Sequence, residues 1–494
     1  MKKTLLFSLN LILIYTTFAQ LSVRYDPTKQ PVNGLQYFKP VGNNLFVGDA
    51  IPFFHDGTYY LFWLLDSAHH SSLGGLGGHQ WAVSTTKDLK HWTNYPIAIG
   101  IDENWEKSIC TGSVAYYKNK FYAFYATRLI NKEGKVNEQL SYAVSNDCIH
   151  FKKQKPNPFY TSAPGYSARD FRDPKVSVDS AGTFHLFVAS KKNNSEIQNL
   201  DGALVHLTSK DFTNWTVNSP ILTGQPSVPE CPDYFSWNGW YYLIYGNNGN
   251  TFYVMSRSRY GPWQQPRNQA FNEDWANVVK TAEFNNGRRI AAAWIPSRKD
   301  NKDSEKEIFG GNALFREVIQ EDDGTLATKF PAEMIPETGD ALQLKIILES
   351  ATTASGADSY LISSPNGVGS AHFENIPQNS RITLEIEPVG EDEEYGLYLR
   401  SNEKAAGGYR LNFSQNQRTV TLANTSIDAV DGLNKNIKVD IIMKDDIIDV
   451  SVDNRRCISN RLIEQKGSFL WLYAKHGNVK FKSIKIFPIK EQNK

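Results

Sequence analysis

Five times between Ile51 and Ile295 the chain repeats one phrase: an apolar run, a short turn of Asp, Asn, Gly or Lys, then a second aromatic run. The copies are IPFFHDGTYYLFWL from Ile51, GSVAYYKNKFYAFYAT from Gly112, DPKVSVDSAGTFHLFVAS from Asp173, CPDYFSWNGWYYLIYG from Cys231 and TAEFNNGRRIAAAWI from Thr281. A repeat of this size is one supersecondary unit that cannot bury its own faces, so the copies must stack on one another. Stacked hairpins around an axis make a β-propeller. Five copies predict five blades, with the first strand of each lining the central channel. A residue that recurs in position but not in kind then marks where chemistry would be sited.

The stretch PAEMIPETGD, from Pro331 to Asp340, has the Pro, Gly and acidic residues of a linker. Beyond it the texture changes to short segments of period two, such as RITLEIEPV with Ile382, Leu384 and Ile386, YRLNFS and IIDVSVDN. That pattern describes an antiparallel β-sandwich. The expected architecture is all-β, a five-bladed propeller over residues 20–332 and a sandwich over residues 341–494. Residues 1–19 read as a secretory signal peptide: Lys2 and Lys3, an apolar run from Leu5 to Tyr15, and a small-x-small ending at Thr17 and Ala19. The run is too short to span a bilayer. A secreted or periplasmic protein without a membrane span is expected.

The 53 Lys and Arg nearly cancel the 52 Asp and Glu, so there is no basic face for nucleic acid or anionic lipid. The 27 Phe, 24 Tyr and 11 Trp suit a neutral, hydroxyl-rich partner such as carbohydrate, although strands also favour aromatics. The four cysteines, Cys110, Cys148, Cys231 and Cys457, show no CxxC spacing and read as buried thiols. His69 and His70 are adjacent, and neighbours in a strand point to opposite faces, which does not suit chelation. Neither a metal nor a cofactor is expected.

A second phrase closes three blades: VSTTKDLKHW, VSNDCIHF and LTSKDFTNW. Asp88, Asp147 and Asp211 hold the same place in each copy, as Asx-turn braces would. Setting the blades in register on their hairpin turns isolates a different set. Asp49, Asp173 and Glu230 stand at corresponding positions in three inner strands, where the second blade has Gly112. Inner strands converge on one mouth of the channel, so these three carboxylates should face one another. Like charges at short range push one proton affinity upward. An acid and an ionised carboxylate side by side are what glycoside hydrolysis needs; capping of strand ends or binding of a channel cation is the competing reading. Arg172 beside Asp173 would keep a carboxylate ionised and clamp hydroxyls. Asp233, three residues after Glu230, would help to raise the Glu230 pKa.

FRDPKV (171–176) and ECPDYF (230–235) resemble the Arg-Asp-Pro and Glu-Cys-Pro signatures of glycoside hydrolase family 32, the invertases, inulinases and levanases, and FGGNALFREV (309–318) is similar to that family's segment ending in Arg-Glu. The resemblance spans nearly the whole chain and implies the same propeller-plus-sandwich architecture. It also implies Asp49 as nucleophile, Asp173 as transition-state stabiliser, Glu230 as general acid/base, net retention and a β-fructofuranosyl substrate. The family's first motif, Trp-Met-Asn-Asp-Pro-Asn-Gly, is here FVGDAIPFFHDG, which keeps Asp49 without the flanking Trp, Asn and Pro. Candidates to rebuild the pocket wall are His79, Gln80 and Trp81 after a Gly-rich loop, and Asp102, Trp105 and Thr111 near the start of the second blade. Cys231 and Asp233 accompany Glu230 as candidate substrate contacts.

Two other readings stay open. An inverting arabinosidase or xylosidase-like propeller would use Asp49 as general base, with carboxyls about 6.5–9.5 Å apart in place of about 5–5.5 Å. A non-catalytic glycan-binding propeller would gain little from three negative charges at one mouth.

Overall fold

The computed structural model describes residues 25–356, 358–390 and 394–491, so the segment read as a signal peptide lies outside the described residues. The first blade runs Leu45–His55, Thr58–Ser67, Gln80–Thr86 and Trp92–Ile99. The second runs Ser108–Tyr117, Lys120–Ile130, Val136–Ser145 and Lys152–Lys153, and the third Tyr166–Val178, Phe184–Lys192, Gly202–Ser209 and Thr216–Gln225. The fourth is Glu230–Trp237, Trp240–Asn247 and Asn250–Ser256, edged by a bridge from Met255 to Gln264. Asn277–Phe284, Arg288–Arg298, Glu307–Gln320 and Leu326–Lys329 make the fifth. The ring closes where Val47 pairs with Gly311 and where Ala313 exchanges backbone hydrogen bonds with Tyr37 and Phe38. Among the described residues no helix is long and apolar enough to cross a membrane.

Local chemistry explains the repeat. In three blades the first hairpin turns on two residues, Asp56-Gly57, Lys118-Asn119 and Asn238-Gly239, all with positive φ. That is the turn whose twist matches the flanking strands. The repeated aspartates brace the next corner as expected. Asp88 accepts from the backbone N–H of Lys90 and His91, Asp147 from Ile149 and His150, and Asp211 from Thr213 and Asn214, at 2.8–3.0 Å. The Asn214 N–H, with other donors, holds the Asp211 carboxyl well below the usual carboxylate range. Asp147→Ala should therefore cost about 1 kcal/mol of stability, the corner being solvent-exposed, with catalysis unchanged. Urea unfolding beside a steady-state assay checks both halves.

All five inner strands share one irregularity that the sequence repeat does not display. Against a single partner residue each sets two: Gly48-Asp49, Cys110-Thr111, Asp173-Pro174, Cys231-Pro232 and Val278-Val279. Such β-bulges bend the strand and re-aim a side chain. Asp173, Cys231 and Val278 take φ of 55°, 50° and 45°, a left-handed backbone that is costly for a β-branched valine. Local strain is thus concentrated at one level of the channel.

The sandwich follows, among the described residues, as twelve strands in one continuous sheet. The long strand Phe469–Pro488 belongs to both layers, pairing with Ser359–Phe373 and Glu394–Ser401 early and with Ser380–Pro388 late. Ile382, Leu384 and Ile386 face its core, packed with Leu397, Leu411 and Val439. The two domains meet over buried charge. Arg316 of the fifth blade forks onto Glu273 at 2.7 and 3.0 Å and onto sandwich Asp449 at 2.8 Å twice, and Tyr37 donates to Asp449 at 2.7 Å.

Candidate active site

The bulges surround a cavity of about 370 Å³ at one end of the channel, within the size range of small-ligand sites. Asp49, Asp173 and Glu230 all line it. Asp49 is held by two donors, the Thr111 hydroxyl on one oxygen and Trp294 Nε1, 3.0 Å away, on the other. Cys231 Sγ lies 3.6 Å from an oxygen of Asp49 and 3.6 Å from an oxygen of Asp173, so the thiol separates the two carboxylates. The Cys231 backbone N–H, turned inward by its bulge, donates to Asp173 at 3.0 Å.

Arg172 is the hub. Its guanidinium donates to Glu230 at 2.9 Å, to Glu138 at 3.0 Å and to Asp170 at 2.8 Å, while its Nε sits 3.9 Å from Asp173. Its main partner in the site is therefore Glu230 and not the adjacent Asp173. Glu138 also accepts two hydrogen bonds from Arg128, whose third nitrogen donates to His70 Nε2 at 2.8 Å. His70 and His79 contact each other at 3.2 Å, and His79 reaches buried Asp66 at 3.0 Å. The loop that brings these histidines together needs left-handed residues in quantity, Ala68, His69, His70 and Leu73 among them. Gly77 earns its place sterically, since a Cβ there would lie 2.9 Å from Ser108 Oγ and 3.3 Å from Arg128.

Burial is the largest influence on each shifted group. It raises the Asp49 carboxyl, against the Thr111 hydrogen bond and with the help of Asp173. It raises Glu230, opposed by Arg172 and reinforced by Asp173 and Asp49. It drives His70 down to about 4, so that this histidine is neutral. Beneath the carboxylates the buried ammonium of Lys280 donates to the Gly112 carbonyl at 2.8 Å, and burial lowers its pKa. Two carboxyls with elevated proton affinity beside an ionic clamp provide a proton donor and a nucleophile or base in one pocket.

Of the residues singled out from the sequence, Arg172, His79, Thr111 and Cys231 also line the cavity. Five do not. Gln80 accepts from the Ile101 backbone at 3.1 Å. Trp81 is fully buried and supports the second bulge from behind, donating to the Cys110 carbonyl at 2.9 Å. Asp102 faces outward, 3.2 Å from Lys153, and Trp105 donates to Glu103 at 2.6 Å, because Glu106 ties this loop into a closed turn. Asp233 lies under the floor, bound by Lys175 at 2.6 Å and by Thr281 at 2.7 and 2.8 Å; it stays ionised there and does not act on Glu230. Sequence reasoning missed His70, Arg128, Glu138, Trp294, Glu307 and Phe309 as cavity residues. Trp294, inside the fifth copy of the phrase, and Phe309, at the start of FGGNALFREV, lie in segments that the sequence had marked out. All four cysteines are buried and free, and among the described residues no group of His, Cys, Asp or Glu could hold a metal ion.

Residues 49–329 match the Glycosyl hydrolases family 32 N-terminal domain, the span that contains every inner strand from Asp49 onward. Over 484 residues the chain is 23% identical to a levanbiose-producing levanase of Bacillus subtilis, covering 88% of this chain and 87% of that protein. It is also 23% identical to a sucrose-6-phosphate hydrolase of Zymomonas mobilis over 472 residues, covering 89% of each. The structure of fructan 1-exohydrolase IIa from Cichorium intybus superposes with a TM-score of 0.69 at 17% identity, covering 94% of this chain and 98% of that one. With the carboxylate pocket in the matched domain, the chain belongs to family 32 of the glycosyl hydrolases.

Proposed function

We propose that this protein is an exported β-fructofuranosidase that removes terminal fructosyl groups from oligo- or polysaccharides with net retention. One observation carries the mechanism: a single guanidinium, Arg172, bonds Glu230 and flanks Asp173, while Asp49 across the Cys231 thiol is aimed by Thr111 and Trp294. Glu230, its proton affinity raised, gives a proton to the glycosidic oxygen as the bond from that oxygen to the anomeric carbon breaks. Asp49 bonds to the anomeric carbon. The hydrogen bonds from Thr111 and Trp294 favour its ionised form against burial. Glu230, now a carboxylate, takes a proton from water, which attacks the glycosyl ester and releases Asp49. Asp173 accepts sugar hydroxyls and steadies the developing positive charge.

The levanase and the sucrose-6-phosphate hydrolase among its relatives support a fructoside, and the features of residues 1–19 support export. The test is to incubate the protein with sucrose, inulin, levan and aryl arabinosides and xylosides, and to follow the new anomer by NMR in the first minutes. β-Fructofuranose is expected first. The α anomer would assign inversion, and pentose release would replace the substrate.

A further inference from the structure

Glu307 lines the cavity and is its odd carboxylate. Asp49, Asp173, Glu230 and Glu138 each have a hydrogen-bonded partner there, whereas the carboxylate of Glu307, an exposed residue, has no hydrogen bond or ion pair among the described residues. Its ladder neighbour Arg298 gives it charge at a distance but no hydrogen bond, since that guanidinium donates to the carbonyls of Asp303, Glu305 and Arg461 at 2.7–2.9 Å. An unpaired carboxylate on the wall of a sugar pocket is a free double acceptor for neighbouring hydroxyls.

The fold says which sugar it meets. Trp294 touches Asp49 at the floor, Pro296 lines the wall two residues further along that strand, and beyond a register shift after Pro296 the same strand pairs Arg298 with Glu307. Glu307 therefore stands at the rim, above the nucleophile's wall. Across from it is the fourth blade's second hairpin. A Cβ at Gly249 would lie 3.7 Å from Glu307 Oε1, and a Cβ at Gly246 would lie 3.8 Å from Glu230 Cβ. Glu307 and the proton donor Glu230 thus flank the same hairpin. The floor is closed by Cys231 and the buried Lys280, so the fructosyl group must sit inward on Asp49 and the leaving sugar outward, between Glu230 and Glu307.

We infer that Glu307 is the residue that selects the leaving sugar, accepting hydroxyls of a neutral saccharide and repelling one that carries a phosphate. This rests on the fructosidase reading above. The two cations of the cavity reinforce it, because Arg128 and Arg172 are already taken up by Glu138, Asp170 and Glu230, which leaves neither unpaired for a phosphate. Burial, then Asp274, raises the Glu307 carboxyl, against the weaker opposing pull of Arg298.

The test compares the parent with Glu307→Gln and Glu307→Ala on three substrates: sucrose, sucrose phosphorylated on its glucose, and an aryl β-fructofuranoside whose leaving group has no hydroxyls to grip. Glu307→Ala should lose roughly 10–100-fold in kcat/KM on sucrose, mainly through KM, and stay within about twofold on the aryl substrate. The ratio of phosphorylated to plain sucrose turnover should rise at least about tenfold in both variants, a readout that a folding defect would not move. Equal losses on sucrose and the aryl substrate, or an unchanged phosphate ratio, overturn the assignment while leaving the fructosidase reading intact. A parent that cleaves no fructoside overturns both.

Discussion

Glu230→Gln is expected to lower kcat on sucrose and fructans by about 10²–10⁴-fold, the usual worth of a positioned proton donor. An aryl fructoside with a good leaving group should instead show a burst of one phenolate per enzyme followed by slow turnover, because ester formation no longer needs the acid while its hydrolysis still needs the base. Parent-like sucrose turnover would remove Glu230 from the role of acid/base. The pH profile gives a second readout. Glu230 works as an acid while protonated, so parent kcat/KM should fall as pH rises through its raised pKa, and the variant should lose that alkaline limb. The same elevation has a cost in stability. For Asp49 and Glu230, whose folded pKa values are raised, the contribution to folding is full below the unfolded value of about 4 and declines as pH rises through the folded one. The site is thus a strained part of the molecule at neutral pH, in its charges as in its backbone.

Arg316→Met should have the largest effect on the fold. The guanidinium is buried, and it joins Glu273 beside the fifth blade to Asp449 in the sandwich. Burial already raises Asp449, and Arg316 opposes that rise. Removing Arg316 takes from two buried carboxylates the ion-pair partner they share, which costs about 3–5 kcal/mol. The deficit should be greatest at neutral pH and shrink in acid, since Asp449, whose folded pKa burial raises, contributes its stability once protonated. Urea unfolding at pH 7 and pH 4.5 measures both. A loss below about 1 kcal/mol at pH 7 would mean that the interface is held by other contacts.

The blades, the corner braces and the convergence of Asp49, Asp173 and Glu230 were legible because propeller geometry converts position in a repeat into position around an axis. The hairpin turns set the register, and the aspartates of the second phrase repeat because every blade turns the same corner. The pocket wall was not legible. Gln80, Trp81, Asp102 and Trp105 lie near the site in sequence, but alternation along a strand and one closed turn send them elsewhere. The true wall comes from middle strands of other blades and from the folded Gly-rich loop: Arg128, Glu138, Trp294, Glu307 and His70.

By itself, then, the repeat determines that this chain is a five-bladed all-β protein with three unrepeated carboxylates at one mouth, because burying each blade's faces admits no other arrangement of such hairpins. Which carboxylate is clamped, which is aimed and which is left free was decided only in three dimensions. Hydrogen bonds such as Arg172 to Glu230 and Trp294 to Asp49 join residues 58 and 245 positions apart, and the five bulges that direct them arise from strand pairing, which no local run of residues encodes.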